Sequence, residues 1–369
     1  MTLASFASRV VEWQQREGRS GLPWQQSADP YRVWLSEIML QQTQVATVLR
    51  YYPRFLARFP DVQSLAEAPI DEVLGLWSGL GYYSRARSLH RCAQVVCAVY
   101  GGRFPTCAAE LERLPGIGRS TAAAIASFCF HEPVSILDGN VRRLLTRHLG
   151  FDADLSKARN VDALWQRAQM LVPIEEPTSM PRYTQGLMDL GAMICTPRRP
   201  RCAACPLAGD CRAYASGEPE RLPMRRLALA RQSRQLWLLW LERPDGATLL
   251  QRRPARGIWG GLHCLPAFDS LDALRDAVHR GWGLTGAGQT ESPRVHRLTH
   301  LDLTLQPVRW CLDPPGAPQF LDGADWYLPA QWERLGLPAP IRVWLQDSAR
   351  SRSVDLAMPH ERRPAAAIP

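Results

Sequence analysis

Four clustered cysteines, one glycine hairpin and two carboxylates in unusual company carry most of the chemical content of this 369-residue chain. Cys195, Cys202, Cys205 and Cys211 are spaced C-x6-C-x2-C-x5-C, with Pro197, Pro200 and Pro206 stiffening the loops between them. Four thiolates so close in sequence can surround one metal centre, and a tetrathiolate site suits zinc or an iron–sulfur cluster. Spacing alone does not separate the two. The run Leu114-Pro115-Gly116-Ile117-Gly118-Arg119-Ser120-Thr121-Ala122 places two glycines around one apolar residue, so the chain can turn tightly there. Ser120 or Thr121 is predicted to cap a second helix. The hairpin then aims backbone N–H groups of Gly116, Gly118 and Ser120 at one point, a seat for phosphate that reads no base. Asp138 follows Thr121 by seventeen residues and precedes another helical pattern. It can cap that helix, offer a reactive carboxylate, or do both. Glu37 lies amid Trp34, Ile38 and Leu40, where partial desolvation would raise its pKa toward that of a general acid. Taken alone, it also reads as an ordinary exposed helical glutamate.

These residues need elements to hold them. Residues 1–212 read as almost wholly helical, beginning with Asp29-Pro30 as the start of a long apolar-striped helix. Residues 213–234 are arginine-rich, contain Pro219 and Pro223, lack an apolar face and are expected to be a linker. The texture then changes to strand-like runs at 235–241 and 247–250, joined by Pro244-Asp245-Gly246, so residues 235–350 are predicted to form a smaller α/β domain. Residues 351–369 have no periodicity and are expected to be disordered. Cys92, Cys97, Cys107 and Cys129 fall at apolar helical positions and are read as core.

Composition narrows the partners. The chain carries 44 basic and 35 acidic residues, a formal charge of +9. The excess falls in residues 1–234, while 235–350 is balanced, which suits a polyanionic partner for the first half. Lys157 is the single lysine. No apolar run reaches the ~18 residues of a membrane span, and the first residues lack the apolar core of a signal peptide. With ten cysteines, the expected setting is a reducing one, the cytoplasm.

The hairpin and Asp138 resemble the DNA glycosylase superfamily, and with the cysteine spacing they resemble its endonuclease III branch. The resemblance implies that the four cysteines hold a [4Fe-4S] cluster and that Arg198, Arg199, Arg201 and Arg212 around it touch DNA phosphate. The segments Pro23-Trp24, Leu35-Ser36-Glu37-Ile38-Met39-Leu40-Gln41-Gln42-Thr43-Gln44-Val45, Gly79-Leu80-Gly81-Tyr82-Tyr83 and Met188-Asp189-Leu190-Gly191-Ala192-Met193-Ile194-Cys195 are similar to MutY-type adenine DNA glycosylases. Those enzymes remove adenine mispaired with 8-oxoguanine or guanine, so double-stranded DNA with such mispairs is the expected partner of a monomeric enzyme. Breaking an N-glycosidic bond needs a proton for the departing base and a negative charge near the oxocarbenium-like sugar. By the resemblance Glu37 is the acid, Asp138 stabilises the cation and Asn140 supports both. Trp24 and Gln185 would line the adenine pocket, Gln42 and Tyr82 would wedge the duplex, and Thr43 and Leu80 would lie near the opposite base.

Lyase relatives place a lysine at the position of Ser120, whose amine forms a Schiff base with the sugar. A hydroxyl there, with Lys157 in a polar stretch and Arg142 permanently protonated, implies a monofunctional hydrolase. Gly257-Ile258-Trp259-Gly260-Gly261-Leu262-His263-Cys264-Leu265-Pro266 resembles a Nudix-like (MutT-like) domain, and Leu298-Thr299-His300 aligns with the family's 8-oxoguanine loop through Thr299 and His300. Residues 270–280 lack the glutamate cluster of a Nudix hydrolase, so the domain is expected to recognise rather than hydrolyse. The fold class expected is a mainly α helix-hairpin-helix glycosylase domain with an iron–sulfur loop, followed by that α/β domain. The alternatives are an endonuclease III-like glycosylase/lyase for oxidised pyrimidines, a non-catalytic iron–sulfur DNA-binding protein, and a nucleotide pyrophosphohydrolase working through residues 235–345.

Overall fold

The computed structural model describes residues 5–224, 231–312 and 321–357. In chain order the helices are α1 (Phe6–Glu17), α2 (Pro30–Leu40), α3 (Val45–Arg58), α4 (Val62–Glu67), α5 (Ile70–Leu76), α6 (Tyr83–Tyr100), α7 (Ala108–Leu111), α8 (Arg119–Phe130), α9 (Gly139–Leu149), α10 (Ala158–Gln169), α11 (Met180–Asp189) and α12 (Arg212–Ala215). Strands β1 (Gln232–Glu242), β2 (Thr248–Arg252), β3 (His263–Cys264) and β4 (Ala267–Phe268) precede α13 (Leu271–Trp282). Strands β5 (Gln289–Thr290), β6 (Arg294–Arg297), β7 (Leu301–Cys311) and β8 (Ala324–Tyr327) then lead to α14 (Pro329–Trp332) and α15 (Ala339–Ala357).

The chain divides into two compact units, Met1–Ala68 with Arg85–Ala228 and Pro69–Ser84 with Leu229–Pro369. Residues 69–84 keep the helical character expected over residues 1–212, in α5 and the start of α6, but pack with the second unit. Close backbone approach explains it. A Cβ on Gly75 would stand 2.2 Å from Arg334 O, and one on Gly336 would stand 2.7 Å from Leu74 Cβ. Arg252 adds an ion pair to Asp71 at 2.7 Å.

In the first unit α2 begins where the Asp29 side chain accepts from Tyr31 N at 2.9 Å, with Pro30 at a position that needs no N–H donor. It buries Val33, Trp34, Leu35, Ile38 and Met39. Helix α8 buries Ala122, Ala123, Ala124 and Ala126, small side chains that let α2 and α11 pack close against it. The core below them gathers Val10, Trp13, Val141, Leu144, Leu164, Tyr183 and Leu190.

The second unit is built on a mixed sheet. Strands β1 and β7 run parallel in register from Gln232↔Leu301 to Glu242↔Cys311, while β2 lies antiparallel to β1. Parallel neighbours require a crossover connection, and α13, capped by the Ser270 side chain and ended by Gly283 at φ 65°, lies within it. Strand β1 starts at Gln232, inside the expected linker, because its exposed first residues gain a backbone ladder from β7 rather than apolar burial. Within the same stretch α12 buries Ala213, and Leu222 is buried. The remainder of the expected linker, 225–230, lies outside the described residues. The tail expected to be disordered from 351 is helical to Ala357, since extending α15 past its buried Ile341 and Leu345 requires no new helix nucleus; residues 358–369 lie outside the described residues.

One buried charge ties β1 to β7 and α15. Glu242, 2% exposed, accepts from Trp240 Nε1 at 3.1 Å and Ser348 Oγ at 3.2 Å, and pairs with Arg309. Replacing it by Ala strands Arg309 in a half-buried position. Glu242→Ala should lower the stability of this unit by about 3 kcal/mol, read as the shift in urea or thermal unfolding; a change under about 0.5 kcal/mol would mean the pair contributes nothing.

Candidate active site

Glu37 sits one turn before the end of α2, on the wall of an open pocket of about 520 Å³. Trp24 and Gln185 line the same pocket, so with Glu37 three sequence-predicted residues meet there, while Asp138 and Asn140 are not part of its lining. The indole of Trp24 is buried and edge-on to Tyr52, centroids 5.4 Å apart, which fixes its plane. Gln185 Nε2 donates to Asp189 Oδ1 at 2.8 Å, leaving the amide oxygen as acceptor. Asp189 is wholly buried and is matched by Arg19, whose Nε donates at 2.7 Å and whose backbone N donates at 2.8 Å. Burial, with a smaller contribution from the charge of Asp138, pushes Glu37 up to about 8.

Asp138 is the N-cap of α9, its Oδ1 accepting from Val141 N at 2.7 Å. The sequence left capping and chemistry open, and the geometry makes them compatible. Burial raises its pKa, but bonds from the Val141 and Asn140 N–H groups and the charges of Arg143 and Arg142 oppose the rise. Glu37 has no such compensation. Burial thus raises both carboxyls, but the charge of Asp138 adds to the rise at Glu37, whereas N–H donors and arginines oppose it at Asp138. Asn140, in the first turn, accepts from Arg143 Nη2 at 2.9 Å, and Gly191 packs so tightly on it that a Cβ would meet Asn140 Cβ at 2.7 Å.

The hairpin departs from expectation at the cap. Helix α8 begins at Arg119 with Gly118 as N-cap and no side-chain cap, so neither Ser120 nor Thr121 fills that role. Gly118 can start the helix through its carbonyl alone, which accepts from Ala122 N at 2.9 Å. Without a capping side chain the first-turn N–H groups stay available to an outside anion. Ser120 turns inward instead, its Oγ accepting from Leu137 N at 3.3 Å, one residue before Asp138. The glycines differ. Gly116 has φ 77° and a Cβ there would stand 2.5 Å from Ser88 Cβ, whereas a Cβ on Gly118 would meet nothing within 4 Å.

Gln42 and Tyr82 both adopt left-handed backbone, φ 55° and 47°, and both are exposed. A side chain held there costs on the order of 1 kcal/mol or more, so each turn must be fixed by its surroundings. For Gln42 the fixing group is Arg85, which sequence reasoning missed. Its Nη1 donates to the carbonyls of Ile38, Met39 and Gln41 at 2.7, 2.9 and 2.6 Å, and its Nη2 to Thr43 Oγ1 at 3.1 Å. Gln41 Nε2 reaches Thr121 Oγ1 at 3.3 Å. Leu80, expected beside the opposite base, is buried, because it lies under the turn that presents Tyr82. Within the second unit, Thr299 and His300 occupy the exposed β6–β7 loop, and Thr299 Oγ1 lies 3.1 Å from the Tyr82 hydroxyl. Arg231, also missed, donates to Leu298 O at 2.7 Å and pairs with Asp302 at 2.5 Å, closing the base of that loop.

Cys195, Cys202, Cys205 and Cys211 line one cavity. None forms a disulfide, and burial raises the thiols of Cys202, Cys205 and Cys211, that of Cys205 to about 11. Thiolates there require a cationic centre. Four thiols on one cavity wall can supply one thiolate to each iron of a four-iron cluster. Arg147, 2% exposed, donates to Cys195 Sγ at 3.3 Å and to the carbonyls of Thr196 and Leu222 at 2.7 and 2.9 Å. Arg143 Nε donates to Cys195 O at 2.7 Å and its Nη2 to Gly191 O at 2.6 Å. Both arginines were missed; their spacing of four on α9 was visible, their buried partners were not. Arg201 is partly engaged inside the loop through Met193 O at 2.7 Å, while Arg198 and Arg199 are exposed.

Residues 35–169 match the HhH-GPD superfamily of base excision DNA repair proteins, 195–211 the iron-sulfur binding domain of endonuclease III, and 237–347 the NUDIX domain. The chain is 34% identical over 342 residues to the adenine DNA glycosylase of Buchnera aphidicola subsp. Baizongia pistaciae, covering 92% of this chain and 96% of that one. Its similarity to the mouse adenine DNA glycosylase is 35% over 384 residues, covering 88% and 74%. A thermostable thymine-DNA glycosylase structure superposes with a TM-score of 0.52 at 29% identity, over 57% of this chain and 95% of that one.

Holding Glu37 in this pocket opposes folding at alkaline pH. Its carboxyl loses a proton near its ordinary 4.5 when unfolded and near 8 when folded, so the stability that protonation lends is full below about 4.5 and is lost as pH rises toward 8. Glu37→Gln should therefore raise the melting temperature relative to the parent at pH 8, with the difference shrinking toward pH 5. Equal differences at both pH values would contradict the raised pKa.

Proposed function

The chain belongs to the adenine DNA glycosylase family, and from that premise we propose that Glu37 and Asp138 hydrolyse the N-glycosidic bond of an adenine mispaired with 8-oxoguanine or guanine. The observation that carries this reading is a pocket that holds Glu37 with its carboxyl raised to about 8. At neutral pH Glu37 still owns a proton, while the N–H donors and arginines around Asp138 favour that residue's charged form, a division of labour that suits the reaction.

The extruded adenine enters beside Trp24, with the Gln185 carbonyl oxygen accepting from its exocyclic amine. Glu37 protonates the base at N7. The C1′–N9 bond breaks with its electron pair leaving on adenine, and the oxocarbenium-like sugar is met by Asp138. Water adds at C1′ and gives up a proton, leaving an abasic site. Asn140, clamped by Arg143, keeps the first turn of α9 in place under this charge. Gly116, Gly118 and the first turn of α8 receive a backbone phosphate. Gln42 and Tyr82 enter the duplex as the base leaves, Thr43 lies near the opposite base, and Thr299 and His300 read that base. The exposed pose of Gln42 and Tyr82 supports the wedge role. The chain carries a [4Fe-4S] cluster, with Cys195, Cys202, Cys205 and Cys211 its proposed ligands. When bound, the cluster cross-links the loop against which Arg143 and Arg147 brace α9. Among the described residues no helix is long and apolar enough to cross a membrane. We place the enzyme in the cytoplasm as a monomer.

A lyase for oxidised pyrimidines is less well supported. Ser120 offers a hydroxyl that is engaged with Leu137 N, and Lys157, at the exposed start of α10, is not among the residues lining the pocket.

Single-turnover excision on an 8-oxoG:A duplex should be flat below pH 8 and fall above it as Glu37 loses its proton. Glu37→Gln should reduce the rate at least about a hundredfold with DNA binding retained; a rate within tenfold of the parent would remove Glu37 as the acid.

The product strand should remain intact until treated with hot alkali, and borohydride should trap little protein–DNA adduct. Ser120→Lys should introduce measurable strand cleavage, since an amine would then stand beside the loop of Asp138. Strand nicking by the parent enzyme as fast as adenine release would show that another amine reaches the sugar.

A further inference from the structure

Tyr82 is held in left-handed backbone on the turn between α5 and α6, and that turn belongs to the second unit. A residue so strained keeps its pose only where its neighbours over-determine it. The neighbours come from the far end of the chain. Leu337 O accepts from Ser78 Oγ at 3.0 Å and from the Tyr83 hydroxyl at 2.9 Å. Arg342 Nε donates to Ser78 Oγ at 3.1 Å, and its Nη1 and Nη2 donate to Glu333 O and Leu335 O at 3.1 and 2.6 Å, so one guanidinium stitches the turn to the α14–α15 loop. Inside the turn, Gly79 N donates to the Tyr83 hydroxyl at 3.3 Å and Trp77 Nε1 to Gly81 O at 3.1 Å. At Gly75 and Gly336 the two segments approach so closely that neither position has room for a Cβ.

We propose that Leu337 and Arg342 are positioning residues for the Tyr82 wedge, so that the second unit drives base extrusion whichever guanine stands opposite, in addition to reading that guanine through Thr299 and His300. The proposal rests on the assignment of Tyr82 as a wedge. It separates two tasks of one domain. The α14–α15 loop sets the backbone of the wedge turn, and the β6–β7 loop senses what faces it through His300 while touching the wedge itself only at the Tyr82 hydroxyl through Thr299.

The test is the double variant Tyr83→Phe with Arg342→Met, which removes two of the donors bracing the turn and keeps the ring and an apolar stem. Single-turnover rate constants are measured on 8-oxoG:A and G:A duplexes, with the active fraction taken from burst amplitude, and extrusion is followed by 2-aminopurine fluorescence at the adenine position. Both rate constants should fall by the same factor, roughly tenfold for a misplaced positioning group. The extrusion signal should fall with them while the active fraction per folded molecule is unchanged. His300→Ala, by contrast, should slow 8-oxoG:A more than G:A. Rates within twofold of the parent on both duplexes, or a loss confined to 8-oxoG:A, would overturn the proposal. If the double variant does not fold, Tyr83→Phe alone, which deletes one hydroxyl, carries the same comparison. Tyr82→Ala distinguishes the levels. If it too leaves both rates unchanged, the wedge assignment fails and the proposal with it; if it is slow while the double variant is not, only the anchoring fails.

Discussion

The catalytic unit depends on one bond, the 2.7 Å contact in which Asp138 Oδ1 accepts the N–H of Val141. It starts α9 and at the same time opposes the rise that burial imposes on the same carboxyl. Every other part of the site is arranged around that helix start. Ser120 secures the chain just before it, Gly191 presses on its first turn, and Arg143 and Arg147 fasten its later turns to the cysteine loop. Glu37, on α2, holds its proton more firmly through the charge of Asp138. The two carboxylates are thus one electrostatic object with two different supports, one rich in donors and the other nearly bare.

Most of the chemistry was legible in the sequence because it is local. The glycine hairpin, the cysteine spacing and the apolar company of Glu37 each lie within a short window. Asp138 as a cap could be anticipated from the helix after it. What could not be read is long-range. Arg85 is one arginine in a chain where Lys157 is the only alternative cation, and nothing in its surroundings says that it gathers three carbonyls of another helix. The same holds for Arg147, a cation buried to 2% exposure by partners 48 to 75 residues away. A sequence window assigns such a residue to a solvated face.

The errors have physical causes too. Ser120 looked like a cap because hydroxyls favour that position, yet Gly118 starts the helix with its carbonyl and frees the hydroxyl for Leu137. Strand β1 was expected to begin where apolar residues begin, but a ladder needs only backbone, and β7 supplies the partner from Leu301 onward.

Because residues 69–84 join the second unit, the first unit is interrupted in sequence, and the ribosome makes α5 long before its partners. The contacts of Leu74 with Gly336, of Gly75 with Arg334 and of Asp71 with Arg252 must wait for the synthesis of residues beyond 229. Domains fold largely in order of emergence, so these are among the last contacts that residues 69–84 make. A chain ending after the cysteine loop would leave Asp71 without Arg252 and the Tyr83 hydroxyl without the Leu337 carbonyl, so the wedge turn would be made but not yet braced.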